Sequence, residues 1–177
     1  MTDAPGLPFW LTLGCGVYLT SASLLAGRHT PGYHLCRDSL SQLGAAGSPL
    51  AIAVNLGLFL PVGLICLMLA AWLDQPAVQL LAASLACGYL GAAIWPMNST
   101  GSLPHRLHLL CGAVEYSGGI AALGWQAYAL PSLLPDLLLL IAIMAAVAFT
   151  LPGCRPFTGL CQRLLETSLF LSLLYAA

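Results

Sequence analysis

From one end to the other, the chain sets long apolar runs between short interruptions of Pro, Gly or charge. A bilayer's hydrocarbon core, about 30 Å thick, needs roughly 20 apolar residues per helix. The runs at 7–26, 49–73, 76–94, 105–130, 133–151 and 159–177 therefore predict six spanning helices. They are far longer than barrel strands and lack alternation of period two, and a lipid-exposed backbone must satisfy its own hydrogen bonds, so the fold class is all-α. Leu73-Asp74-Gln75-Pro76 and Pro131-Ser132 are such short links that the helices they join must be antiparallel neighbours. One compact bundle, a single transmembrane helical domain over 1–177, is the expected architecture of this polytopic membrane protein. Pro131, Pro135 and Asp136 crowd the start of the fifth run and predict a short or kinked helix there.

Composition names the surroundings. Of 177 residues, 59% are hydrophobic and 6% charged, where soluble domains carry about 25% charge; mean hydropathy is +0.90. The partner is a lipid bilayer. Lysine is absent and the arginines are scattered, so there is no basic patch for nucleic acid and no polybasic stretch for anionic headgroups. Arg28 and Arg37 fall in the first loop, Arg106 in the third, Arg155 in the fifth and Arg163 just inside the sixth helix. These are alternate loops, hence one side, and the positive-inside rule makes that side cytoplasmic. Asp3, Asp74 and Asp136 fall on the other side, which puts both termini outside a cytoplasmic (inner) membrane. No Lys or Arg precedes Arg28, so the first run reads as a retained helix and not as a cleaved signal.

The seven cysteines form no C-x-x-C pair and read as small packing residues. Ala83, Cys87 and Gly91, four residues apart, predict a face where another helix comes close. No internal repeat supports an inverted-repeat transporter.

Ionisable groups inside a membrane are expensive and mark candidate sites. His105 and His108 are one turn apart, about 60° around a helix, and Glu115 lies seven residues beyond His108 on the same face. Glu115 falls on the order of 15 Å deep, and Gln126 continues the stripe. The first loop, from Tyr33 and His34 to Gly44, is expected to fold back at the same side as an interfacial or re-entrant segment. Asn55, Asn98 to Thr100, Arg163 and Glu166 share that half of the bundle. A purely structural account pairs Asp38 with Arg37 or Arg106 and Arg163 with Glu166 at i, i+3, and lets Ser and Asn cap or bridge helices. A functional account makes His105 and His108 ligands of a divalent metal such as zinc, with an acid such as Asp38 completing the set. Bis-histidine haem would need His34 opposite His105 or His108.

Several short elements in this order resemble a known family. Arg37-Asp38-Ser39 leads into Ser41-Gln42-Leu43-Gly44 after the first helix, Asn55 lies in the second, Trp95-Pro96 closes the third, His105 and His108 open the fourth, and Gly159-Leu160 with Arg163 open the sixth. Together they resemble the bacterial and archaeal integral membrane proteins grouped as domain of unknown function 998. The resemblance spans nearly the whole chain and implies six or so helices with polar positions gathered at one membrane face; it names no substrate. A more distant similarity is to the alkaline ceramidases and adiponectin-type receptors, where a Ser, an Asp and three His are associated with zinc in a seven-helix bundle. This chain departs from them with six runs, H-x-x-H spacing and no third histidine in a late helix.

The expected site is a polar pocket open to the cytoplasmic end. Asp38, Ser39, Ser41 and Glu115 are its candidate catalytic groups, His105 and His108 its candidate metal ligands, and Asn55 and Arg163 its remaining polar lining. Metal-assisted hydrolysis of a lipid-like ester or amide is one function that fits, with Asp38 or Glu115 as third ligand or general base. The other is non-enzymatic: a proton or small-solute carrier that uses Glu115, or an assembly partner in a membrane complex or homo-oligomer. The topology makes one direct prediction. A reporter fused after Ala177 reads as periplasmic, and a cytoplasmic signal there means that one of the six spans is wrong.

Overall fold

Prolines stand in the first turns of four helices of this chain in the computed structural model, which describes residues 5–177. Asp3 lies outside the described residues. Pro8, Pro76 and Pro104 stand at the starts of α1 (Leu7–His29), α4 (Pro76–Ile94) and α5 (Leu103–Ala129), where a missing N–H breaks no helical bond. Between α1 and α4 come a one-turn helix, α2 (Leu40–Leu43), and α3 (Ala51–Trp72); α6 (Leu133–Thr150) and α7 (Thr158–Ala176) follow α5. Ser102 caps α5 by accepting from His105 N at 3.3 Å. The helix expected to be short or kinked runs unbroken for 18 residues, since Pro135 sits in its first turn. Asp136 in that turn complements the helix dipole.

The chain is an all-helical, polytopic membrane protein. Four helices, α1, α3, α4 and α6, are each long and apolar enough to cross a bilayer. The other two long ones, α5 and α7, carry most of the buried polar side chains: His108, Glu115 and Gln126 on α5; Gln162, Glu166, Ser168 and Ser172 on α7. Leucines such as Leu56, Leu64, Leu110, Leu137 and Leu140 point outward. An apolar exterior, with the few polar side chains turned inward, is what a bundle in hydrocarbon requires.

The most buried span, α4, lies between α3 and α5 and also touches α7. It approaches α5 through small residues. Gly88 lies against the Glu115 side chain, Gly91 against Cys111, and Ser84 against Gly118. The row expected from spacing is rotated: Ala83 is exposed, and Ser84, Gly88 and Gly91 form the close face.

Within α3 the backbone opens to a π-helical turn over Asn55–Phe59. Pro61 has no N–H to offer the carbonyl of Gly57, four residues earlier, and that carbonyl accepts instead from Tyr18 Oη on α1. Three loops are tied together at one end of the bundle. Gly159 N donates to Arg37 O at 3.2 Å, Leu160 N to Cys36 O at 2.9 Å and Ala46 N to Met97 O at 2.8 Å. The first loop thus folds back over the start of α7 and buries Leu40 and Leu43. All five arginines stand at this end, from the last turn of α1 to the second turn of α7.

A side chain at Gly88 would occupy the space of the Glu115 carboxyl group. Gly88→Leu is expected to destabilise the bundle by about 1–3 kcal/mol through overpacking. Gly14→Ala, at a position with open space, serves as the control. Thermal unfolding in detergent checks the pair.

Candidate functional site

Glu166, on α7, is buried and met from three helices. Tyr89 Oη on α4 donates to Oε2, Tyr116 Oη on α5 donates to Oε1 at 3.2 Å, and Gln162 Nε2, one turn back on α7, donates to Oε1 at 3.2 Å. Gln162 extends the network: its Nε2 also donates to Tyr116 Oη at 2.8 Å, and its Oε1 accepts from Leu40 N at 2.7 Å. Phe149 of α6 packs edge-on against the Tyr116 ring, with centroids 6.2 Å apart.

Beside this network lies a cavity of about 320 Å³. Glu115, Glu166, His108, Tyr116 and Gln162 supply its polar lining, and Ser39 and Ser41, flanking Leu40, stand over it at the loop end. Glu115 is buried, and its Oε1 has no hydrogen-bond partner among the described residues. His108 Nδ1 is held by the carbonyl of Trp95 at 3.1 Å, which leaves Nε2 as the ring nitrogen not engaged there.

Four of the residues singled out from sequence thus line one cavity: Ser39, Ser41, His108 and Glu115. The other four are placed elsewhere. Asp38 gives its carboxylate to Arg37, whose Nε and Nη2 donate to its two oxygens at 2.7 Å each, and to the His34 backbone N–H, also at 2.7 Å. Hydrogen bonding from Arg37 holds the Asp38 carboxyl below the usual carboxylate range, and the His34 N–H adds to the effect. His105 is half-buried, with its Nδ1 unpartnered, and lies outside the cavity lining. Asn55 donates from Nδ2 to Gly44 O at 2.9 Å and so holds the end of α2 against α3. Among the described residues no three His, Cys, Asp or Glu side chains gather where they could share a metal ion. The His34 side chain is exposed in the loop.

Arg163 does not pair with Glu166. Its Nη1 donates to the carbonyls of Leu35, Asp38 and Gly159 at 2.7, 3.2 and 2.9 Å, and its Nη2 to Tyr33 Oη at 2.6 Å. Burial pushes the Tyr33 hydroxyl up, so it stays neutral, accepting from Arg163 while it donates to the carbonyls of Asp38 and Ser39. Gln126 is likewise structural in its contacts, accepting from Ser172 Oγ at 2.7 Å.

Tyr89, Tyr116 and Gln162 were not legible as site residues, because each sits in an apolar run on a different helix and no spacing links them. The available signal was Glu166 itself, a second carboxyl group within a span.

A family model described as "Protein of unknown function (DUF998)" matches residues 12–177. No curated protein and no solved structure matches the chain.

Gln162 ties α2, α5 and α7 at once. Gln162→Leu leaves the Leu40 N–H without its acceptor and removes a donor from Glu166; a loss of about 1–3 kcal/mol is expected, read as a lower unfolding temperature in detergent.

Proposed function

We propose that this chain, which belongs to the DUF998 family of proteins of unknown function, is a proton carrier whose cavity has room for a small solute. The observation that carries this reading is the pair of buried carboxyl groups, Glu115 and Glu166, lining one cavity of about 320 Å³. That volume falls at the lower end of small-molecule sites. Carboxyl groups within a span are expensive as fixed charges and are at home on proton and ion routes. Glu166 is fully engaged by Tyr89, Tyr116 and Gln162, whereas Glu115 has no hydrogen bond among the described residues and its Oε1 is buried without a partner. Glu115 is therefore the group that exchanges a proton or accepts a donor of the solute, with Glu166 holding the wall behind it. His108 offers its free ring nitrogen from the same lining, and Ser39 and Ser41 supply hydroxyls at the loop-side entrance.

The metal-hydrolase alternative finds less support. Asp38 is taken up by Arg37, His105 stands outside the cavity, and no hydrogen bond among the described residues joins the Ser39 or Ser41 hydroxyl to a histidine or a carboxylate. In the carrier reading the arginine-bearing end faces the cytoplasm, by the positive-inside rule. The cavity then opens inward from a cytoplasmic membrane, with both termini outside.

Purified protein in liposomes with a trapped pH-sensitive dye tests the reading. The unaltered chain is expected to dissipate an imposed pH gradient, and Glu115→Gln to abolish that flux while keeping the unfolding temperature. Unchanged flux in the variant, or none from the unaltered chain, overturns the proposal. An unfolded Glu115→Gln protein makes Glu115 a structural hydrogen-bonding group and overturns its role as carrier.

A further inference from the structure

Between α1 and α7 lies a second cavity, of about 400 Å³, which shares Leu40, Gln162 and Glu166 with the first as a common wall. Its sides are apolar, formed by Leu13, Val17 and Leu24 of α1 and Phe170, Leu171 and Leu174 of α7. Val17, Leu24 and Leu171 are exposed, so the groove opens on the lipid-facing surface. On α7 its lining runs from Gln162 to Leu174 and on α1 from Leu24 back to Thr12, a length of roughly 18 Å at 1.5 Å per residue. That is about half of a ~30 Å hydrocarbon core, the depth of a single leaflet.

Arg163 stands at the loop-side end of this groove. Every partner that its guanidinium has in the structure is neutral: three carbonyls and the Tyr33 hydroxyl. The Asp38 carboxylate is committed to Arg37, the one ion pair among the described residues. Glu166, which faces the groove from the same helix, is committed to Tyr89, Tyr116 and Gln162. A guanidinium carries five donors, and Nε and one Nη2 hydrogen of Arg163 have no acceptor within the described residues. A half-buried cation with no counter-charge, at the headgroup end of an apolar channel one leaflet deep, is complementary to one kind of molecule.

We propose that the α1/α7 groove binds a single-chain amphiphile with an anionic head, its acyl chain lying between the helices and its head paired with Arg163. The site is separate from the proposed carrier function and does not depend on Glu115.

Native mass spectrometry of the detergent-purified full chain tests this with oleate, with monooleoylglycerol as the neutral head on the same chain, and with acetate as the head alone. Oleate is expected to bind at least about tenfold more tightly than monooleoylglycerol, as a charge-assisted pair requires. Acetate at equal concentration should not displace it. Thr20→Trp, which fills the groove from an exposed position on α1, is expected to weaken oleate binding, Arg163→Gln to abolish the preference for the charged head, and Glu115→Gln to leave both unchanged. Equal affinity for the two oleoyl compounds, displacement by acetate, or full binding in Thr20→Trp overturns the proposal. Should Arg163→Gln fail to fold, the headgroup comparison in the unaltered chain and Thr20→Trp decide it.

Discussion

A carboxyl group enclosed in a bundle of apolar helices has to be met by donors, because water is not there to meet it. Glu166 imposes that demand on this protein. Tyr89 answers from α4, Tyr116 from α5 and Gln162 from α7 itself, while Gln162 reaches on to the backbone of α2. Each of these groups would cost about 1–3 kcal/mol if left buried and alone. The mutual rotation of three helices and the position of the fold-back loop are thus coupled through one side chain. Small residues let the helices come close enough for this: Gly88 leaves the room that Glu115 takes, and Ser84 and Gly91 continue that face of α4.

The same network divides the interior. On one side lies the cavity with Glu115 and His108, on the other the groove between α1 and α7, and Gln162 and Glu166 belong to both walls. A change of hydrogen bonding at Glu166 would be felt on both sides at once. Arg163 contributes differently, as a clamp: with Gly159 beside it, it gathers the carbonyls of Leu35 and Asp38 and holds the first loop on the start of α7. A side chain at 159 would collide with those carbonyls, which accounts for glycine there. The loop, in turn, carries Ser39 and Ser41 into the lining of the carboxyl cavity.

Half of the expected site came together, and the division has a physical pattern. His108 and Glu115 share one helix and one face, so their joint position follows from helical geometry alone. Asp38 was drawn off by the residue next to it: a bidentate pair with Arg37 costs little loop entropy and satisfies both oxygens locally. Arg163 and Glu166 could have paired at i, i+3, yet each found stronger company on other elements, a cage of carbonyls for one and two tyrosines and a glutamine for the other.

By itself the sequence determined that the chain is helical and belongs in a membrane. Runs of about 20 apolar residues in hydrocarbon leave the backbone no partners but its own. It also determined that the arginines gather at one end, since they fall in alternate loops. Tertiary structure decided how each helix is turned about its axis, and with it that Ser84, Gly88 and Gly91, and not Ala83, face α5. It decided as well which polar groups meet: Tyr89, Tyr116 and Gln162 around Glu166, Asn55 on Gly44, Arg163 on the loop. Apolar periodicity carries little of that information here, because in a bilayer both the lipid-facing and the core-facing sides of a helix are apolar. Rotation is then set by the few buried polar groups, each of which can be satisfied only by partners far away along the chain.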